Sequence, residues 1–180
     1  MTDRRAIVLP GVRYTSAHPL LHFTRAVLES HGWAVSEASW PTDDAGEPDA
    51  GQMVTEVATR LIEAAGDARL LIVGKSIGSL AMPLAAARGI AGIWMTPLLR
   101  RPAVMQALTE LPAATLLVGS AADDTWDADA ANRSGHQMLQ LSDANHGLEL
   151  DGDPLGSIHA LRQVIEAVDH FVAGIEPEEG

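Results

Sequence analysis

The stretch "LLIVGKSIGSLAM", residues 70–82, decides how the rest of the chain is read. Its first four residues form an apolar run of strand length, and the residues after Gly78 begin a helical pattern. Between them, Gly74-Lys75-Ser76 matches the last three letters of a phosphate-binding loop, and Gly74-Lys75-Ser76-Ile77-Gly78 matches the five letters of a serine nucleophile elbow. The two readings give Ser76 different chemistry: a magnesium ligand in the first, an attacking oxygen in the second.

Spacing separates them. A phosphate loop needs a glycine five positions before Gly74 and a loop whose backbone N–H groups wrap the phosphates. Position 69 is arginine, and residues 69–73 are Arg-Leu-Leu-Ile-Val, which read as buried strand with no length left for a loop. The elbow needs a sharp strand-to-helix turn, with small residues two before and two after the serine. Gly74 and Gly78 stand at those places. The plainest alternative role for Ser76 is a helix N-cap.

Outward from this turn, strands and helices alternate. Apolar runs at 6–9, 33–38, 69–73, 90–95, 114–118 and 135–141 read as six strands. Leu20, Phe23, Thr24, Val27 and Leu28 mark one helix, and Met53, Val54, Val57, Leu61 and Ile62 a second. A third is expected from about Ile77 to Arg88, and a last helix carries Leu155, Ile158, Leu161, Ile165, Val168 and Val172. This order predicts an α/β protein: a mostly parallel central sheet with helices on both faces, in a single domain over residues 1–180. The segment "PTDDAGEPDAG" (41–51) reads as a surface loop, and the tail "GIEPEEG" as a fraying end.

Such sheets carry their functional residues in loops at the carboxyl ends of the strands. A serine hydroxyl is a weak nucleophile and needs a base, which an acid orients. The fifth strand leads into "GSAADDTWD" (119–127) and the sixth into "SDANHGLELDGD" (142–153), so an acid and a histidine follow in successive loops. His146 is the candidate base. Asp123 and Asp124 are the candidate acids. A helix start near Thr125 would make Asp124 its N-cap, with Asp127 three places on, which leaves Asp123 in the loop proper. The loop after the first strand, "LPGVRYT" (9–15), turns at Pro10-Gly11, so the Val12 amide, with that of Ile77, is the candidate oxyanion donor.

Together, "LPGVRYTSAHPLLHF", "VGKSIGS", "LLVGSAADDTWD" and "NHGLEL" resemble the α/β-hydrolase family, in the form of small lidless bacterial serine hydrolases. The resemblance implies a minimal α/β-hydrolase fold, with Ser76 as nucleophile, Asp123 as orienting acid and His146 as base. It implies a carboxylesterase-like enzyme that needs no cofactor and cleaves a small-molecule acyl substrate through an acyl-enzyme. The oxyanion loop departs from the family in lacking the common His-Gly. Lys75 has no role in the pattern and is expected to be an exposed surface lysine. Only "TPLLRRP" (96–102) separates the fourth strand from the next helical stretch, so no cap domain fits there. The expected site is open and shallow, walled by Tyr14, Trp94 and Trp126. A hydrolase-fold binding module with little turnover is the competing reading.

Bulk properties bound the rest. The net charge is −12 and the chain has 11 arginines and one lysine, with no basic cluster beyond Arg4-Arg5 and Arg100-Arg101. That argues against nucleic acid and against an anionic membrane surface as partners. With no cysteine there is no thiolate chemistry, and the seven histidines form no metal motif. The start, "MTDRRAIVLPG", has only four apolar residues before Pro10, where a secretory leader needs roughly 7–15, so a cytoplasmic location is expected. The sequence leaves the acyl group, the leaving group and the oligomeric state open.

Overall fold

The computed structural model describes residues 3–40, 50–112 and 114–175. Most of the loop expected at 41–51, and the last five residues of the tail, lie outside them. Six strands form one parallel sheet in the order β2-β1-β3-β4-β5-β6. They are β1 (Arg4–Leu9), β2 (Ala34–Glu37), β3 (Arg69–Lys75), β4 (Ala91–Met95), β5 (Thr115–Ser120) and β6 (Gln137–Leu141). Every pair between neighbours is parallel. Among the described residues, six α-helices connect and close it: α1 (Pro19–Ser30), α2 (Ala50–Ala64), α3 (Met82–Arg88), α4 (Pro102–Leu108), α5 (Ala128–Ser134) and α6 (Pro154–Gly174).

Two apolar layers sandwich the sheet. Leu20, Leu21 and Leu28 of α1 pack with Val164, Val168 and Phe171 of α6 against Ala6, Val8, Leu71 and Val73. Val54, Ala58 and Ile62 of α2 cover Ile7, Leu9 and Ile72 on the other face, beside Val104 of α4 and Ala130 of α5. Adjacent strand residues thus point to opposite layers, and both faces are apolar, as a covered parallel sheet requires. From β1 the chain passes through α1 to the outer strand β2, then returns through α2 to β3 on the far side of β1. The winding therefore reverses between β1 and β3, and a crevice opens at their carboxyl ends. Among the described residues no helix is long and apolar enough to cross a membrane.

Three helices differ from the pattern in the sequence. The helix expected from Ile77 starts as a 3-10 turn (Ser76–Ala81), and α3 proper begins at Met82. Pro83 has no N–H to return to the Ser79 carbonyl, so an α-helix cannot run through this point. The helix expected near Thr125 starts at Ala128, capped by the Asp127 carboxylate, which accepts from the Ala130 N–H at 2.9 Å. Asp124 is exposed and is not the N-cap. On α6 the buried stripe runs through Ala160, Val164, Val168, Phe171 and Val172, while Leu155 and Ile158 are 77% and 63% exposed.

Candidate active site

The elbow is built by glycines that leave room for their neighbours. A methyl group on Gly74 would lie 2.6 Å from the Trp94 ring, and one on Gly78 would strike the backbone of β1. Between them Ser76 takes φ 53°, in the left-handed region that non-glycine residues avoid. This turn lifts the serine off the end of β3. Its hydroxyl belongs to a residue that is 9% exposed.

Ser76 Oγ lies 2.8 Å from Nε2 of His146, and Nδ1 of the same ring lies 2.7 Å from Oδ2 of Asp123. An ionised carboxylate only accepts hydrogen bonds, so Nδ1 carries the proton and Nε2 presents its lone pair to the serine hydroxyl. The other carboxylate oxygen of Asp123 accepts from the Thr125 N–H at 2.9 Å and from its hydroxyl at 2.8 Å. Burial by itself would raise the Asp123 carboxyl. Its hydrogen bonds from Thr125 and His146, with the charge of His146, outweigh that and hold it below the ordinary value. His146 is also held low. Burial is the main cause and the positive charge of Lys75 the second, against an opposing pull from Asp123.

The structure thus brings Ser76, Asp123 and His146 together from the ends of β3, β5 and β6. Of the two loop acids it is Asp123 that meets the histidine. Its side chain is 2% exposed, whereas Asp124 sits at the surface with its carbonyl oxygen accepting from Arg100. The loop after β1 lies directly on the elbow. A methyl group on Gly11 would touch Cβ of Ser76 at 3.4 Å and Cγ of Lys75 at 3.5 Å. The next residue is Val12, and Arg13 follows with φ 55° to close the turn. Ile77 is the second residue of the 3-10 turn, in the first turn of which N–H groups have no partner within the helix.

Three expected placements differ. Lys75 is not a surface lysine: it is 1% exposed. β3 continues two residues past Val73, and alternation turns Lys75 to the same side as Leu71 and Val73. Its ammonium donates to the Thr96 hydroxyl at 2.7 Å and to the His146 carbonyl at 2.8 Å. Burial lowers its pKa to about 8, against the attraction of Asp123. Trp94 and Trp126 are 0% and 3% exposed and wall no open site. Trp94 lies on the shelf left by Gly74 and Gly92, and Trp126 covers Gly119 and donates from Nε1 to Gln140 at 2.8 Å. The three glycines on neighbouring strands were the available signal, since a strand without side chains invites a ring over it.

Tyr14 borders a cavity. That cavity, of about 130 Å³, lies beside the histidine loop and is lined by Leu20, Gly147, Leu148, Ile158 and Leu161 as well. Ser79 is a further contributor that its sequence context did not single out. Its hydroxyl donates to the Ser76 carbonyl at 2.6 Å and accepts from the Leu98 N–H at 3.0 Å, tying the elbow to the loop after β4.

No family model matches the chain, and no curated protein does. Solved structures do. A lidless α/β serine hydrolase from Xanthomonas campestris is 18% identical and superposes with a TM-score of 0.68, covering 100% of this chain and 85% of its own. Est1E from Butyrivibrio proteoclasticus is 16% identical, with a TM-score of 0.74 over 96% of this chain and 88% of its own. An esterase from Pyrococcus furiosus is 12% identical, with a TM-score of 0.65 over 96% and 83%. The chain therefore has the α/β-hydrolase fold in its lidless form. Only residues 96–101 lie between β4 and α4, where no lid could be housed.

Proposed function

We propose that this protein is a serine hydrolase that cleaves an ester or similar acyl bond. One observation carries the reading: the unbroken chain of contacts from Ser76 Oγ through His146 to the buried Asp123 carboxylate. His146 Nε2 takes the hydroxyl proton as Ser76 Oγ attacks the substrate carbonyl, and Asp123 stabilises the imidazolium that forms. The amides of Ile77 and Val12 stabilise the oxyanion. His146 then gives its proton to the leaving oxygen, which departs and leaves the acyl group on Ser76. Water, activated by the same ring, hydrolyses the acyl-enzyme and restores the serine.

The cavity bordered by Tyr14, Leu20, Ile158 and Leu161 suits a short apolar group, because its walls are mostly carbon and it opens beside Gly147, the neighbour of the base. The substrate in this reading is a small acyl ester.

Labelling with a fluorophosphonate, which needs an activated serine, tests the proposal. Wild-type protein should be labelled and Ser76→Ala should not. Folded wild-type protein that takes no label and turns over no nitrophenyl ester, from acetate to decanoate, would favour a binding module on the same fold.

A further inference from the structure

Lys75 has no part in the chemistry above, yet it is buried among the residues that carry it. A lysine is costly to bury, and an apolar side chain of similar length would fill the space without that cost. Its ammonium instead reaches three different loops of the site. It donates to the Thr96 hydroxyl after β4 and to the His146 carbonyl after β6, and it stands 5.1 Å from the centre of the Tyr14 ring in the loop after β1. Thr96 takes φ 42°, an unusual conformation for a β-branched residue, at the point where its hydroxyl meets the lysine. We propose that Lys75 is a positioning residue: its ammonium clamps the loop that carries His146 to the ends of β3 and β4, and sets a positive charge beside the imidazole.

Two consequences follow. Without the clamp, the backbone at His146 loses its tie to the strand that bears Ser76, and the 2.8 Å contact between ring and hydroxyl loosens. Without the charge, protonation of the ring becomes easier, because a neighbouring cation disfavours imidazolium. The other titratable groups at hand are Asp123, which opposes the lysine at the ring, and Tyr14, beyond which stand His18 and Glu149. The role in catalysis rests on reading His146 as base, whereas the clamp and the charge do not.

Lys75 is the one lysine in the sequence, so lysine labelled with ¹³C at Cε gives a single side-chain resonance. In wild-type protein this signal should titrate near pH 8, with the His146 ring resonance, assigned by its loss in His146→Gln, shifting in step. In Lys75→Met the His146 ring should titrate at higher pH, and amide exchange at residues 145–149 should speed by tenfold or more. On esters, kcat should fall by roughly 10–100-fold with KM little changed, as expected when a catalytic group is misplaced. A His146 ring that ignores the titration of Lys75 overturns the proposal in wild-type protein, whether or not the variant folds. So does an unchanged His146 midpoint in Lys75→Met. None of these resonances depends on turnover, so a wild-type protein that fails to take a fluorophosphonate would sink the hydrolase reading and leave this one to be judged separately.

Discussion

The backbone of Gly78 lies against Leu9 so closely that a methyl group on it would sit 2.2 Å from the Leu9 carbonyl oxygen. The turn that holds the candidate nucleophile is therefore seated on the last residue of β1, and the obstacle is backbone, which cannot rotate aside. Gly78→Ala should cost about 1–3 kcal/mol of stability, the usual range for overpacking, and displace Ser76. Denaturant unfolding checks it, and a variant with wild-type midpoint and wild-type turnover would contradict the packing.

Ser76→Ala should lose roughly 10⁴–10⁶ of turnover on an ester that the wild type cleaves, while keeping its fold. Ser76→Gly should be equally inactive but more stable by about 1 kcal/mol, since glycine accepts φ 53° without a Cβ penalty. Thermal unfolding of the two variants separates strain from chemistry.

Asp123→Asn should cut turnover by orders of magnitude, because an amide cannot hold the ring in the required tautomer and orientation. Asp124→Asn should be nearly silent in both rate and stability. The cap of α5 is Asp127, and Asp127→Ala should cost about 1 kcal/mol with little change in rate. Rates and melting curves for the three variants give a pattern that no other assignment of these aspartates produces.

The pH dependence has two parts. Activity should rise as His146 loses its proton, with a midpoint below the ordinary histidine value of 6.5, since burial and Lys75 both disfavour the imidazolium. Stability should carry the mark of Lys75. Its pKa is about 8 in the folded chain and 10.5 when solvated, so between those values the unfolded state binds more protons. Unfolding free energy should then climb with pH across that window in wild type relative to Lys75→Met. Urea titrations at pH 8 and pH 10 measure the difference.

Leu161→Trp should fill the cavity beside the histidine loop and shift preference toward smaller acyl groups. The ratio of kcat/KM for butyrate over acetate esters should fall about tenfold, the worth of a lost methylene-sized pocket. An unchanged ratio would place the substrate elsewhere.

Much of this site was legible because its parts are local or ordered along the chain. The elbow shows in five consecutive letters, and the alternation of apolar runs with helical stripes specifies a parallel sheet. In such a sheet every β-to-α loop falls at one end, so Ser76, Asp123 and His146 had to emerge on the same side. The choice of Asp123 over Asp124 reached the residue that meets His146 by way of a helix start that the structure moves three residues on, to Ala128.

Other features are decided only when distant segments meet. Whether Lys75 faces water or protein depends on where β3 stops, and pairing of Lys75 with Met95 on β4 carries the strand past Val73. The acceptors that make its burial tolerable, Thr96 and the carbonyl of His146, come from loops 21 and 71 residues away. Trp94 and Trp126 are apolar rings with polar edges, suited to a site wall or to a core. The bare backbone of Gly74, Gly92 and Gly119 draws them into the core. The sequence by itself determined the sheet, the elbow and the order in which Ser76, Asp123 and His146 follow along the chain, because strand periodicity and turn sterics act between neighbours. The tertiary structure alone decided the environment of each group, because burial and charge depend on what the rest of the chain brings alongside.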